Sequence, residues 1–261
     1  MRYLFAAVCF LGLFTACDSN EPVSTELTLR PLLFEEADFK REYSYNASNQ
    51  LTEIRFISTF ANGGTMTSKQ NFTYLSNGKL SETTSDTGFR FAYTYNGDKI
   101  VRTDEYVNGS WSRQHDFKYD SRGRLIESIT RQNIPEEGGL IPTHKDTYEY
   151  DGNDNLVLMR MYYYTSFGAE AVLQTSFISS NYDDKINTED KFELNVFNPY
   201  VTLRKNNPGK LITQNGQGVA SSTEVYTYEY HPKGYATKKT TQLTWYHGGT
   251  GSYTSTYQFS E

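Results

Sequence analysis

The stretch Phe117-Lys118-Tyr119-Asp120-Ser121-Arg122-Gly123-Arg124-Leu125 decides how this chain folds. It reads as two strands joined by a short loop. Asp120 suits the first position of a type I turn, where its carboxylate accepts backbone N–H groups. Gly123 supplies the left-handed residue that closes such a loop as a bulge. In that register Asp120 faces Arg124 and Tyr119 faces Leu125, while Phe117 shares the strand face of Tyr119. An aromatic set beside an aliphatic across a hairpin is worth roughly 0.2–1 kcal/mol over an alanine pair.

Variants of the stretch recur along the chain. Tyr43-Ser44-Tyr45-Asn46 leads to Asn49-Gln50-Leu51, and Phe72-Thr73-Tyr74 leads to Gly78-Lys79-Leu80. Tyr148-Glu149-Tyr150-Asp151 leads to Asp154-Asn155-Leu156, and Tyr228-Glu229-Tyr230-His231 leads to Gly234-Tyr235-Ala236. The left-handed slot is always Gly, Asn or Asp, the residues that tolerate it. Tyr93-Thr94-Tyr95-Asn96-Gly97-Asp98-Lys99-Ile100 is a residue shorter and fits a two-residue loop. Phe177 to Tyr182 is a degenerate copy, and Tyr257-Gln258-Phe259 is half of one. Tyr45, Leu51, Tyr74, Leu80, Tyr95, Ile100, Tyr119, Leu125, Tyr150, Leu156 and Tyr230 are therefore read as repeat core, with Gly123 and Gly234 as its turn glycines. A repeat of about 20–30 residues is the signature of an array fold.

On these residues the unit Tyr119-Asp120-Ser121-Arg122-Gly123-Arg124-Leu125 resembles the tyrosine–aspartate (YD, or RHS) repeat. With its N-terminal segment, the chain resembles the RHS-like, DUF4595-type lipoproteins of Bacteroidetes. Tyr182-Asp183-Asp184-Lys185-Ile186-Asn187 with Asn206-Asn207 resembles a further element of those lipoproteins. The resemblance spans most of residues 41–259. It implies a β-sheet repeat domain and brings no catalytic residues.

Residues 1–16 read as an export signal, with Arg2 as the positive start and Leu4 to Leu13 as an apolar core too short to span a membrane. The run Leu13-Phe14-Thr15-Ala16-Cys17 reads as a lipobox, with Phe14 where leucine is usual. It predicts cleavage before Cys17 and acylation of that thiol; the alternative is an ordinary secretory peptide. Cys9 is the other cysteine, so the mature chain would hold no thiol for a disulfide, metal or nucleophile. Residues 17–26 read as a lipidated tether and 27–261 as the repeat domain. Leu32-Leu33-Phe34 suits an opening strand or a cap, and Glu35 to Lys40 one helical turn.

Between the repeat turns lies a second set of turns, at Asn62-Gly63-Gly64, Thr87-Gly88, Asn108-Gly109, Glu137-Gly138-Gly139, Phe167-Gly168 and Gly248-Gly249. Asn108-Gly109 is the clearest, as a type I′ hairpin. The chain thus alternates repeat turn and glycine turn. That is an all-β antiparallel meander of repeated hairpins, on the order of fourteen strands. Such a sheet must curl onto itself or split into two packed sheets to hide its apolar face, and one large twisted, rolled or half-barrel sheet is the expected form. An outer-membrane barrel fits poorly, because runs such as Arg113-Gln114-His115-Asp116-Phe117-Lys118 lack a clean apolar face. The rhythm slips between Asp184 and Gly218, where a longer excursion with a short helix around Asp190 to Glu193 is expected.

The chain holds 22 Tyr and 16 Phe and has a formal net charge of −6. An acidic chain without a basic stripe excludes nucleic acid as an expected partner. Aromatics outside the repeat pattern are the binding candidates: Trp111, Tyr162, Tyr163, Tyr164, Trp245 and Tyr246. His115, His144, His231 and His247 lack metal-ligand spacing and read as solvated, as do Asp183-Asp184 and Glu189-Asp190. No nucleophile elbow, phosphate loop or zinc-protease motif is present. The expectation is an outer-membrane lipoprotein, on the cell surface or periplasmic face, held by its lipid, without cofactor or metal. Its non-catalytic repeat domain would bind glycan or an envelope protein. A structural scaffold is the alternative, and a hydrolase using carboxylates of the Asp184–Gly218 region a further one.

Overall fold

The computed structural model describes residues 29–166 and 168–260. The expected signal, tether and Cys17 lie outside the described residues. Sixteen strands form a single antiparallel meander. They are β1 (Arg30–Glu36), β2 (Phe39–Tyr45), β3 (Leu51–Thr59), β4 (Thr65–Tyr74), β5 (Leu80–Ser85), β6 (Phe89–Asn96), β7 (Lys99–Val107) and β8 (Ser110–Tyr119). There follow β9 (Leu125–Ile134), β10 (Gly139–Tyr150), β11 (Leu156–Tyr164), β12 (Ala171–Ser180), β13 (Lys210–Asn215), β14 (Ala220–Tyr230), β15 (Ala236–Trp245) and β16 (Thr250–Ser260). A short helix, α1 (Glu189–Phe192), lies in the long β12–β13 connection.

The hairpin at Asp120 forms as its residues require. Gly123 N–H donates to Asp120 O and Asp120 N–H to Arg124 O, each at 3.0 Å. The Asp120 carboxylate accepts the Arg122 and Arg124 N–H groups, both at 2.9 Å. These bonds, that of Arg124 foremost, hold its carboxyl below the usual range. Gly123 has φ +78°. Tyr119 pairs with Leu125, and the bulge falls beside them. Asn49 and Asp154 occupy the same left-handed slot at φ +61° and +66°.

The sheet closes completely, because β1 pairs with β16. The half copy at Tyr257-Gln258-Phe259 is completed by the other end of the chain. Phe259 opposes Pro31 and Gln258 opposes Leu33, with the same bulge that separates Tyr119 from Lys118 opposite β9. Closure thus repeats the hairpin geometry without the turn, and among the described strands leaves no edge unpaired. The segment Glu35 to Lys40 is no helical turn. It is the β1–β2 hairpin, with Ala37 at φ +45°. The strand total exceeds the expected fourteen partly because Asn215-Gly216-Gln217-Gly218 is also a repeat-type turn. The Asn215 side chain accepts the Gln217 and Val219 N–H groups at 3.0 Å.

Neighbouring repeats are tied by tyrosine hydroxyls. Tyr74 OH donates to Leu51 O (2.8 Å), Tyr95 to Leu80 O (2.9 Å), Tyr119 to Ile100 O (2.7 Å) and Tyr150 to Leu125 O (2.8 Å). Tyr182 does the same to Leu156 O, and Tyr45 to Pro31 O at 2.9 Å. Each rung runs from one repeat to the aliphatic position of the one before it. That explains tyrosine rather than phenylalanine at this position: the ring fills the interior while its hydroxyl finds a buried partner. Burial pushes the Tyr45 hydroxyl up to about 12.

Candidate functional site

The meander places the repeat turns that follow β2, β4, β6, β8, β10 and β14 at one end of the barrel, and the glycine turns together with the Asn215 turn at the other. Both described chain ends, Leu29 and Ser260, lie at the repeat-turn end. The β12–β13 connection, residues 181–209, starts from that end and folds back into the lumen. It is a plug.

Its base is clipped by side chains. Asn206 N–H donates to Asn155 Oδ1 (2.8 Å), and Asn207 N–H to Asp183 Oδ1 (3.1 Å). Inside, Phe192 is fully buried, with ring centroids 5.5 Å from Tyr43, 5.1 Å from Tyr257 and 4.8 Å from Phe259. A second limb carries Phe197, which lies against the rings of Phe91 (5.4 Å) and His115 (4.0 Å). The plug's free carbonyls are met by the wall: Phe192 O by Tyr43 OH (2.6 Å), Val196 O by Tyr93 OH (2.8 Å), Phe197 O by Thr103 Oγ1 (2.6 Å).

Charge also holds the plug. Glu189 is buried and ion-paired with the buried Lys239, with Arg204 Nη1 at 3.6 Å. Arg204 Nη2 is 2.9 Å from Asp190, whose other oxygen accepts the Leu203 and Arg204 N–H groups. The reading of Glu189-Asp190 as surface acids is thereby corrected. Two lysine or arginine charges carried by wall and plug make their burial tolerable. Burial pushes the neighbouring Glu193 carboxyl up to about 7, with the Glu189 charge adding. Its side chain is still 46 % exposed, so the energetic effect is screened. The raised carboxyl favours the protonated folded state. Stability should therefore fall as pH rises from about 4.5 through 7. Glu193→Gln should flatten that decline in urea unfolding midpoints measured across the range; an unchanged slope would assign the dependence elsewhere.

His115 is likewise not solvated. It is buried, with Nε2 3.1 Å from Glu105 Oε2 and Nδ1 3.0 Å from Thr130 Oγ1. The row of carboxylate, imidazole and hydroxyl has the spacing of an acid–base relay. Phe197 covers the ring, however, and both nitrogens are engaged. The arrangement is suited to supporting the plug. The period of two that sets Phe117 and Tyr119 on the inner face also places His115 there, and that was the signal that its reading as solvated passed over.

The six aromatic candidates all fall near the glycine-turn end, but they do not form one site. Trp111 (38 % exposed) starts β8, opposite Tyr106, across a turn whose Asn108 and Gly109 both have positive φ. Tyr162 lies along the wall with Lys145 Nζ 5.9 Å from its ring centre, and Tyr163 is 37 % exposed at the end of β11, next to the half-buried Tyr164. Trp245 (46 %) and Tyr246 (63 %) stand together at the β15–β16 turn. They line a shallow groove of about 110 Å³ with Ala220, Ser222, Thr223 and Thr244. The Trp245 indole lies on Gly249 and Gly251: a Cβ at Gly251 would meet it at 3.1 Å. Glycine there lets the indole approach the backbone closely while nearly half of the residue stays exposed. The groove thus offers a stacking surface with hydroxyls at its margin. Its composition needed the β14–β15 pairing, which sets Ser222 opposite Trp245 and Thr223 opposite Thr244.

No family model and no curated protein matches the chain. Among solved structures, a porin-like protein from Bacteroides uniformis superposes with a TM-score of 0.63 at 12 % identity, covering 89 % of this chain and 96 % of that one. The fold is shared. A porin-like protein from Bacteroides vulgatus covers 88 % of this chain and 99 % of that one, with a TM-score of 0.49 at 9 % identity. The outer wall of the present barrel is charged. Its outward strand positions carry cross-strand ion pairs: Arg55–Glu42 (3.3 Å), Lys69–Glu53 (2.9 Å), Arg102–Asp116 (3.0 Å), Lys118–Glu127 (2.6 Å) and Lys238–Glu229 (2.7 Å). Each outward lysine or arginine would cost about 2–4 kcal/mol at a bilayer midplane. The aromatics and aliphatics of the repeats face inward instead, onto the plug. This wall is built for water.

Proposed function

We propose that this chain is an exported envelope lipoprotein whose water-facing barrel binds glycan at the Trp245–Tyr246 groove. The observation that carries the reading is the orientation of the barrel. Its charged wall excludes it from lipid, and its open aromatic face lies at the end away from the N-terminal side of the described chain. A lipid on Cys17 at the outer membrane would leave that groove accessible. The YD-like hairpins, the lipobox and a fold shared with a Bacteroides protein support the envelope setting. A pyranose ring has one apolar face for the indole and hydroxyls for Ser222, Thr223 and Thr244.

Two measurements test this. Cys17→Ser should move the protein from the membrane to the soluble fraction; an unchanged membrane fraction contradicts the anchor. On a broad glycan panel the wild-type protein should bind, and Trp245→Ala should weaken binding about tenfold with an unchanged melting temperature. Failure of the wild type to bind any glycan, or a Trp245→Ala variant that binds as well, would overturn the assignment of the groove.

A further inference from the structure

The two ends of the barrel differ sharply in charge. The glycine-turn loops contain no lysine or arginine, and among the described side chains their exposed charges are Asp38, Asp86, Glu136 and Glu170, of which Asp86 accepts the Lys69 N–H at 3.0 Å. The repeat-turn end is the reverse. Lys99, Arg122, Lys185, Lys191 and Lys233 are exposed there, against exposed Asp98, Asp184 and the plug's Glu193, with Lys185 paired to Asp184 at 2.9 Å. Four further acids of that end are engaged by neighbouring groups. Asp120 and Asp151 accept backbone N–H groups within their loops, Asp183 accepts Asn207 N–H, and Asp154 pairs with Arg122 at 2.7 Å. The turn chemistry that builds the hairpins thus withdraws carboxylates from the surface and leaves ammonium and guanidinium groups outermost. Exposed apolar side chains sit among them: Leu75 in a turn, and Ile186 and Tyr200 on the plug.

The geometry points to the repeat-turn end as a seat for an anionic lipid surface. Basic side chains interleaved with a few apolar ones and a tyrosine are the make-up of a face that lies on phosphate headgroups. The chain supports the same occupant. Leu29 is buried at this end, and Cys17 is joined to it by a segment that spans at most about 40 Å fully extended. A lipid on Cys17, the reading this inference rests on, would keep this end and not the acidic one near the bilayer. The acidic glycine-turn end would then point outward, repelled by the same headgroups.

The test uses the full chain carrying Cys17→Ser, so that no acyl chain contributes. Flotation is measured with vesicles of phosphatidylcholine alone and with phosphatidylglycerol added at about one third, the composition where surface charge governs binding. Binding to the anionic vesicles should be at least about tenfold stronger at low salt and should vanish near 0.5 M NaCl. The combined change Lys99→Glu, Arg122→Glu, Lys185→Glu and Lys191→Glu should abolish it while leaving circular dichroism and melting unchanged. Asp38→Lys with Glu136→Lys, at the other end, should leave vesicle binding as it was. Equal binding to neutral and anionic vesicles would overturn the inference, as would retention by the four-fold variant, or full competition by soluble glycerol phosphate. Metabolic labelling of the wild type with palmitate separates this from the anchor. Absent label overturns the lipoprotein reading, whereas label together with charge-independent flotation overturns only the seat.

Discussion

Phe192→Ala will lower unfolding free energy by about 3–5 kcal/mol, the range for deleting a fully buried phenylalanine side chain. The ring is where plug and wall become one core. It touches rings from β1, β2 and β16, including Phe34 at 6.3 Å, and these strands are the seam where the barrel closes. Without it, Tyr43 and Tyr257 face a void that neighbouring strands can fill only by losing register. The main-chain oxygen of Phe192 still holds Tyr43 OH and Arg41, so a leucine at this site should recover much of the loss. Urea denaturation measures the cost, and proteolysis should cut within 186–206 in the alanine variant first. A loss below about 1 kcal/mol would mean that the barrel stands without its plug.

Lys239→Met has the second largest expected effect, again about 3–5 kcal/mol, because among the described residues it leaves the buried Glu189 with Arg204 at 3.6 Å and the Tyr257 hydroxyl at 3.4 Å. Burial opposes ionisation of Glu189, but the charges of Lys239 and Arg204 outweigh it and hold its carboxyl below the usual range. A depressed carboxyl contributes stability above its unfolded value, and that stability is lost as pH falls through the folded one. The wild type should therefore resist acid until below about pH 4.5, and Glu189→Gln should remove this part of the acid transition. The double variant Glu189→Gln with Lys239→Met should be less damaged than the sum of the singles. A double-mutant cycle with no coupling would show that the two side chains do not act as a pair.

These effects lie in parts of the protein that the sequence describes unevenly. The hairpin at Asp120 was legible because its signals are local. A carboxylate two and four residues from the amides it accepts, and a residue able to take positive φ, act within one loop whatever surrounds them. The turn at Asn215 uses the same bonds but lacks the flanking tyrosine, so it escaped notice. The slip in rhythm after Asp184 marked the plug as irregular, and the short helix was expected within a residue of where it lies. That the segment turns inward could not be read. Its Glu189, Asp190 and Arg204 look like surface residues until Lys239, far along the chain, is set beside them.

The aromatic candidates show the same division. Position outside the repeat pattern identified Trp245 and Tyr246, but the groove also needs Ser222 and Thr223 from the preceding strand and the close approach that Gly249 and Gly251 allow. By itself the sequence determined the hairpin, its inward tyrosine and aliphatic, and the alternation of two kinds of turn, since each rests on neighbours a few residues apart. Closure, the filled lumen and the opposite charges of the two ends were decided only by tertiary structure. Those depend on which strand meets β1 and on which end of the barrel each loop is carried to, and such distances become short only once the whole sheet has rolled.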